Sequence, residues 1–198
     1  MTMHAYQSPN QFGAEGVDHF NISADSQSQL GRVLCPGYHK TLNYPHIGKF
    51  ASVHNLWHWL KYKPTDDRFR KLSYRQMRVL IEQEQPATSF VPNFKVIIGH
   101  ATYFKLLSDP ELIRQIKNSG GHKVPLSYYY PRKCKTRVIN GYASVMVPIA
   151  SHIIDCVVSG RTPDFRHLAD HPSRADLYGL EGFIRSRYSR DQQQQFGL

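Results

Sequence analysis

Val53, Leu56, Trp57 and Leu60 recur at i, i+3, i+4 and i+7, the spacing of a helix with one buried stripe. Ser52 stands immediately before them in the place of an N-cap, and Pro64 follows as a stop, so a helix is expected to run to about residue 62. His54, His58 and Lys61 repeat the same spacing on the adjoining stripe. Ser73, Tyr74, Arg75 and Gln76 read as a capping box that opens a second helix, with Met77, Leu80 and Ile81 turned inward. A third helical period starts near Asn93 and passes through Phe94, Ile97, Ile98 and Phe104. Ser108, Asp109, Pro110 and Glu111 mark a restart: a cap, a proline in the first turn and an acid near the helix N-terminus. That helix buries Leu112, Ile113 and Ile116 and stops at Gly120 and Gly121. A last helix is expected over about residues 147–158, with Ile149, Ile153, Cys156 and Val157 on its apolar face.

Residues 19–22, 124–130 and 136–139 carry the short β-branched and aromatic runs of strands. A helical turn fits residues 26–34. Residues 35–50, rich in Pro, Gly, His and Tyr, predict a structured loop with no regular period. The expected fold class is therefore α+β, helix-rich, as one domain with a small strand component. Its organisation reads as a polar, mobile tail over residues 1–17, the domain over 18–160, and an extension over 161–198. The extension carries a helix at about residues 177–188 and a frayed glutamine run at its end. No internal repeat is present.

A chain of 198 residues buries roughly 70% of its unfolded surface on folding, enough for a core that needs no staples. Its three cysteines, Cys35, Cys134 and Cys156, are scattered and odd in number, which fits a reducing compartment and neither a disulfide framework nor a zinc spacing. No apolar run reaches the roughly 20 residues of a membrane span, and the N-terminus lacks the basic start and apolar block of a signal peptide. A soluble protein of the cytoplasm is expected, with no membrane partner. The formal charge of +10 favours polyanions and makes nucleic acid a candidate partner through the basic surface, with local clusters at residues 68–78 and 131–137.

Three chemistries can be weighed on residue types alone. His54 and His58, at i and i+4, could converge on a metal ion, but no third ligand is spaced with them and no glutamate lies between, so a polar helix face is the plainer reading and no metal is expected. Cys134 lies between Lys133 and Lys135, which would favour the thiolate, yet no base or orienting group accompanies it. Neither a phosphate-binding loop nor a dinucleotide fingerprint occurs, and no cofactor is expected. Tyr128, Tyr129 and Tyr130 could stack bases, but core packing is the better reading.

Three segments in order carry a resemblance. Leu30–Leu34 (LGRVL), Tyr44–Lys61 (YPHIGKFASVHNLWHWLK) and the stretch containing FKLLSDPELIRQIKNSG together resemble the NADAR superfamily, and most of all a divergent branch associated with bacteriophage proteins. The family includes riboflavin-intermediate N-glycosidases and hydrolases that remove ADP-ribose from guanine bases. The similarity spans roughly residues 19–158. The family's Gly-x-Phe-x-Ser-x-Glu helix opening falls on Gly48, Phe50, Ser52 and His54, so a histidine stands where the family has its glutamate. A downstream glutamine-like position falls on His58, and the family's lysine on Lys61.

The resemblance implies a ligand of the ribosyl-nucleotide class, ADP-ribose or ADP-ribosylated nucleic acid, and an N-glycosidase or ADP-ribosyl hydrolase chemistry in a defence or counter-defence setting. That chemistry passes through an oxocarbenium-like state, which needs negative charge near the ribose C1′. His54 supplies none in either protonation state, so altered or impaired catalysis is implied. His54 and His58 are the candidate catalytic residues, with Lys61, Tyr44, Trp57 and Arg32 as candidate ligand contacts, and Asp18, Asp66 and Asp67 as substitute carboxylates. The competing expectation is a non-enzymatic basic protein that docks on nucleic acid or on another protein. Oligomeric state is not legible in the sequence.

Overall fold

A computed structural model describes residues 15, 19–44, 47–62, 66–83, 93–119, 126–132, 135–138 and 140–169. The expected tail over residues 1–17 (Glu15 apart), Cys134, and the extension beyond residue 169, with its helix and glutamine run, lie outside the described residues. The elements follow in the order β1 (Phe20–Asn21), α1 (Gln29–Leu34), β2 (Leu42–Tyr44), β3 (Gly48–Phe50), α2 (Val53–Lys61), a 3-10 turn (Asp67–Arg70), α3 (Tyr74–Gln83), α4 (Phe94–Leu107), α5 (Pro110–Ser119), β4 (Leu126–Ser127), β5 (Tyr129–Arg132), β6 (Lys135–Val138), α6 (Asn140–Val158) and a second 3-10 turn (Arg166–Leu168). The fold is helix-rich α+β, and the strands among the described residues form three two-stranded ladders.

The chain divides into two compact units, each built from two separate stretches: residues 1–38 with 106–163, and residues 39–105 with 164–198. In the first unit β1 pairs in parallel with β4, Phe20 opposite Leu126 and Asn21 opposite Ser127. Asn21 is buried, and its side chain stays satisfied there: Nδ2 donates to Ser23 Oγ (2.8 Å) and to the Tyr129 carbonyl (3.2 Å), and Oδ1 accepts from the Tyr129 amide (3.2 Å). The Tyr129 hydroxyl meets His19 Nε2 at 2.6 Å. Tyr128 and Tyr129 are both buried, as core packing requires, because the residue between β4 and β5 breaks the strand alternation. Ser28 caps α1, its hydroxyl accepting from the Gly31 amide (2.9 Å). A Cβ on Gly31 would sit 2.2 Å from the Asn21 carbonyl oxygen, so only glycine lets α1 come this close to β1. On α5, Leu112 and Ile116 are buried in the unit's core, as are Met146, Ile149, Ala150 and Ile153 on α6, the helix against which α5 packs.

Two elements differ from expectation here and in the second unit. α6 begins seven residues earlier than the expected start at Val147, and it carries Pro148 in its interior. Residues 35–50 contain a hairpin, not only a loop: β2 and β3 pair antiparallel, with Leu42 opposite Phe50 and Tyr44 opposite Gly48. Leu42, Tyr44 and Phe50 point inward while Asn43 and Lys49 face solvent, an alternation spread over strands of three residues each.

In the second unit, α2 lies among the hairpin and the first 3-10 turn. α4 contributes Phe94, Val96, Ile97, Ile98 and Ala101, all buried. Phe165, from the stretch expected to be a polar extension, is completely buried instead. Its ring lies where a Cβ on Gly99 would come within 2.5 Å, so the glycine of α4 makes the seat for it. The same ring meets His100 edge-on at 4.9 Å.

Candidate functional site

α2 forms as its sequence dictates. Ser52 holds extended backbone angles, and its Oγ accepts from the Asn55 amide at 3.2 Å. Asn55, one turn in, donates through Nδ2 to the carbonyls of Phe69 (2.7 Å) and Leu72 (2.8 Å) and so ties the helix to the segment leading into α3. That segment opens α3 with the expected capping box: the Gln76 side chain accepts from the Ser73 amide (2.9 Å), and the Gln76 amide donates back to Ser73 Oγ (3.4 Å).

Eight of the nine residues of α2 are buried, which an amphipathic pattern alone does not predict. The stripe of His54 and His58 is therefore interior, with 8% and 6% of each residue exposed, and only Lys61 reaches partly to solvent. The cause is an aromatic sheath from downstream. Tyr62 stacks on Phe69 at 4.6 Å, Phe69 stacks on His58 at 6.0 Å, and Tyr74 stacks on His54 at 5.6 Å. The two imidazoles meet nearly edge-to-face, 4.5 Å between centroids, with Nε2 facing Nε2 at 2.9 Å.

An Nε2–Nε2 hydrogen bond needs one ring to donate and the other to accept. For two neutral imidazoles this fixes opposite tautomers, one protonated at Nε2 and the other at Nδ1. Burial holds both rings in the neutral form. It lowers His54 to about 4, with the charges of Lys61 and His39 pushing the same way. It lowers His58 to about 2, helped by His54 and Lys61. Lys61 is itself lowered by burial. The charges of Lys61 and His39 that act on the pair are positive.

The substitute carboxylates are engaged with arginines. Asp66 caps the first 3-10 turn and binds Arg68 through both oxygens (2.8 and 3.0 Å), which holds its carboxyl below the usual range. Asp67 accepts from Arg70 Nε (2.6 Å) and from the Trp59 indole (3.0 Å), and is lowered chiefly by the arginine. Arg70 in turn lies over the rings of Phe50 (4.5 Å) and Trp59 (4.6 Å). Asp18 lies outside the described residues.

Of the six candidate site residues, the structure gathers His54, His58 and Lys61 on one face of α2. Trp57 packs edge-on against Phe94 at 4.8 Å and Tyr44 edge-on against Phe104 at 5.8 Å, both 1% exposed, so both serve the core of the second unit. Arg32, in the first unit, donates Nη1 to the carbonyls of Ser26 (2.7 Å) and Gln27 (3.0 Å). Sequence reasoning missed Tyr74 and Phe69, which cover the pair, and His39, whose charge acts on it. Among the described residues no group of three or more His, Cys, Asp or Glu side chains is arranged to hold a metal ion, and no helix is long and apolar enough to cross a membrane.

No protein-family model, curated protein or solved structure matches the chain.

Proposed function

We propose that the protein is a NADAR-like binder of an anionic ribosyl nucleotide, of the ADP-ribose class, with the outer end of the His54–His58–Lys61 face as its recognition site. The observation that carries this reading is electrostatic: the positive charges of Lys61 and His39 act on a neutral imidazole pair. Such surroundings attract a phosphate. They repel an oxocarbenium ion, so efficient N-glycosidic cleavage is not what this arrangement favours. Ser52 caps the opening of α2, the stretch on which the resemblance rests.

Isothermal titration with ADP-ribose, alongside incubation with ADP-ribosylated guanine in DNA, tests the reading. Binding is expected, with release of ADP-ribose slow or undetectable. Lys61→Gln, at a half-buried residue, is expected to weaken binding by about tenfold, the value of one charged contact, and to leave the melting temperature unchanged. Absence of any ADP-ribose binding, or binding indifferent to Lys61, would overturn the proposal.

A further inference from the structure

The cluster of basic residues at 68–78 resolves into two kinds once its pairings are known. Arg68 and Arg70 are spent on Asp66 and Asp67. Lys71 and Arg75 are exposed and have no carboxylate within ion-pair distance among the described residues. Arg78, one turn beyond Arg75, has a two-thirds exposed side chain and among the described residues pairs with the equally exposed Glu82, at 3.4 Å. Buried Met77 and Leu80 define the inward face of α3, which leaves Arg75 and Arg78 on its outward arc and Tyr74 on the flank beside them. Tyr74 is 51% exposed, the most open large hydrophobic side chain among the described residues, and its ring is held by stacking on His54 at 5.6 Å.

The Tyr74 ring is held in a fixed orientation, with one side lying on an imidazole and cations before and after it in the chain. Single-stranded nucleic acid asks for this combination: π-faces for its bases and spaced cations for its phosphates. Two unpaired cations and a weakly paired third give charge complementarity to a phosphate chain, within a protein of formal charge +10. Duplex DNA fits less well, because its bases are stacked away from a lone ring.

We infer that the surface formed by Lys71, Tyr74, Arg75 and Arg78 binds single-stranded nucleic acid without sequence preference, one base stacking on Tyr74 while the three cations follow the backbone. The inference stands independently of the ribosyl ligand of α2.

Fluorescence anisotropy with a labelled 12-nucleotide oligothymidine strand, on the full chain and across a salt series, is the test. Three phosphate contacts are expected to give a slope of log affinity against log salt of about −2. The double substitution Lys71→Gln with Arg75→Gln, at exposed positions where folding is not at risk, should flatten that slope by about 1.4. Tyr74→Ala should weaken binding by about tenfold and Tyr74→Phe should restore it, since the stacking face and not the hydroxyl does the work. The melting temperature of each variant separates loss of the surface from loss of the fold. Three outcomes would overturn the inference: no binding of the strand, equal or tighter binding of a duplex of the same length, or binding with an unchanged salt slope in the double variant. ADP-ribose titrated into the same double variant keeps this result apart from the α2 reading, which predicts unchanged affinity there.

Discussion

Acid should unfold this protein through its paired histidines before its carboxylates come into play. Both rings are neutral in the folded state, lowered from 6.5 to about 4 for His54 and to about 2 for His58. The unfolded chain takes up protons at these positions near pH 6.5, whereas the folded chain refuses them until much lower pH. The unfolded state therefore binds more protons throughout the interval, and stability falls as pH drops from about 6.5 towards 4. Each histidine contributes a slope of up to about 1.4 kcal/mol per pH unit. His54 alone removes about 2 to 3 kcal/mol between pH 7 and 4.5, and His58 adds to it in the same direction. A domain of this size has on the order of 5–15 kcal/mol in all, so the loss is large. Asp66, Asp67 and Asp164 have folded values below 3.8, so their stabilisation fades only beneath that value and leaves the window clear. The assay is urea unfolding followed by circular dichroism at pH 7.5, 6.5, 5.5 and 4.5, for the native chain and for His54→Gln with His58→Gln. The double variant is expected to be less stable at pH 7.5 and to show a shallower pH dependence. If both proteins lose stability in parallel between pH 6.5 and 4.5, the imidazoles are not held neutral by burial and the electrostatic account of the site fails.

Two packing predictions follow from the same coordinates. Asn55→Ala removes the donors to the Phe69 and Leu72 carbonyls and the Oδ1 that accepts from the Ser52 hydroxyl, and should cost about 2–3 kcal/mol in urea unfolding; a loss under about 0.5 kcal/mol would show that water replaces these bonds freely. Gly31→Ala places a methyl group 2.2 Å from the Asn21 backbone oxygen, and should cost about 1–3 kcal/mol or more, read as a lowered melting temperature, where an ordinary exposed-helix glycine would gain stability from alanine.

Local chemistry was legible in the sequence wherever one stretch of chain decides it. The Ser52 cap, the Ser73–Gln76 box and the restart at Asp109, which accepts from the Leu112 amide, all depend on residues within one turn of each other. The hairpin at β2–β3 escaped because three residues per strand are too few to display a period of two against a background of prolines and histidines. The start of α6 lies ahead of the apolar stripe, Ile149 to Val157, that marks the helix in the sequence, and Pro148 is carried inside it. For the candidate site, the sequence showed which residues share a face of α2 but not what covers that face. Whether His54 and His58 meet water or a sheath turns on Phe69 and Tyr74, which arrive from 11 and 16–20 residues downstream. A half-exposed tyrosine at the start of a helix carries no local sign that its ring lies on a histidine.

The parallel pairing of β1 with β4 has a consequence for how the chain is made. Residues 20–21 leave the ribosome unpartnered, and their ladder partners lie more than a hundred residues further on. At the usual pace of synthesis that interval is about 5–20 s. Within it the whole of the 39–105 stretch appears, hairpin, capped helix and aromatic sheath together, before the strand on which the earlier unit depends exists. Until Leu126 and Ser127 are made, the edge at Phe20 and Asn21 and the polar groups of His19 and Asn21, buried in the folded unit, stay open to solvent and to other chains.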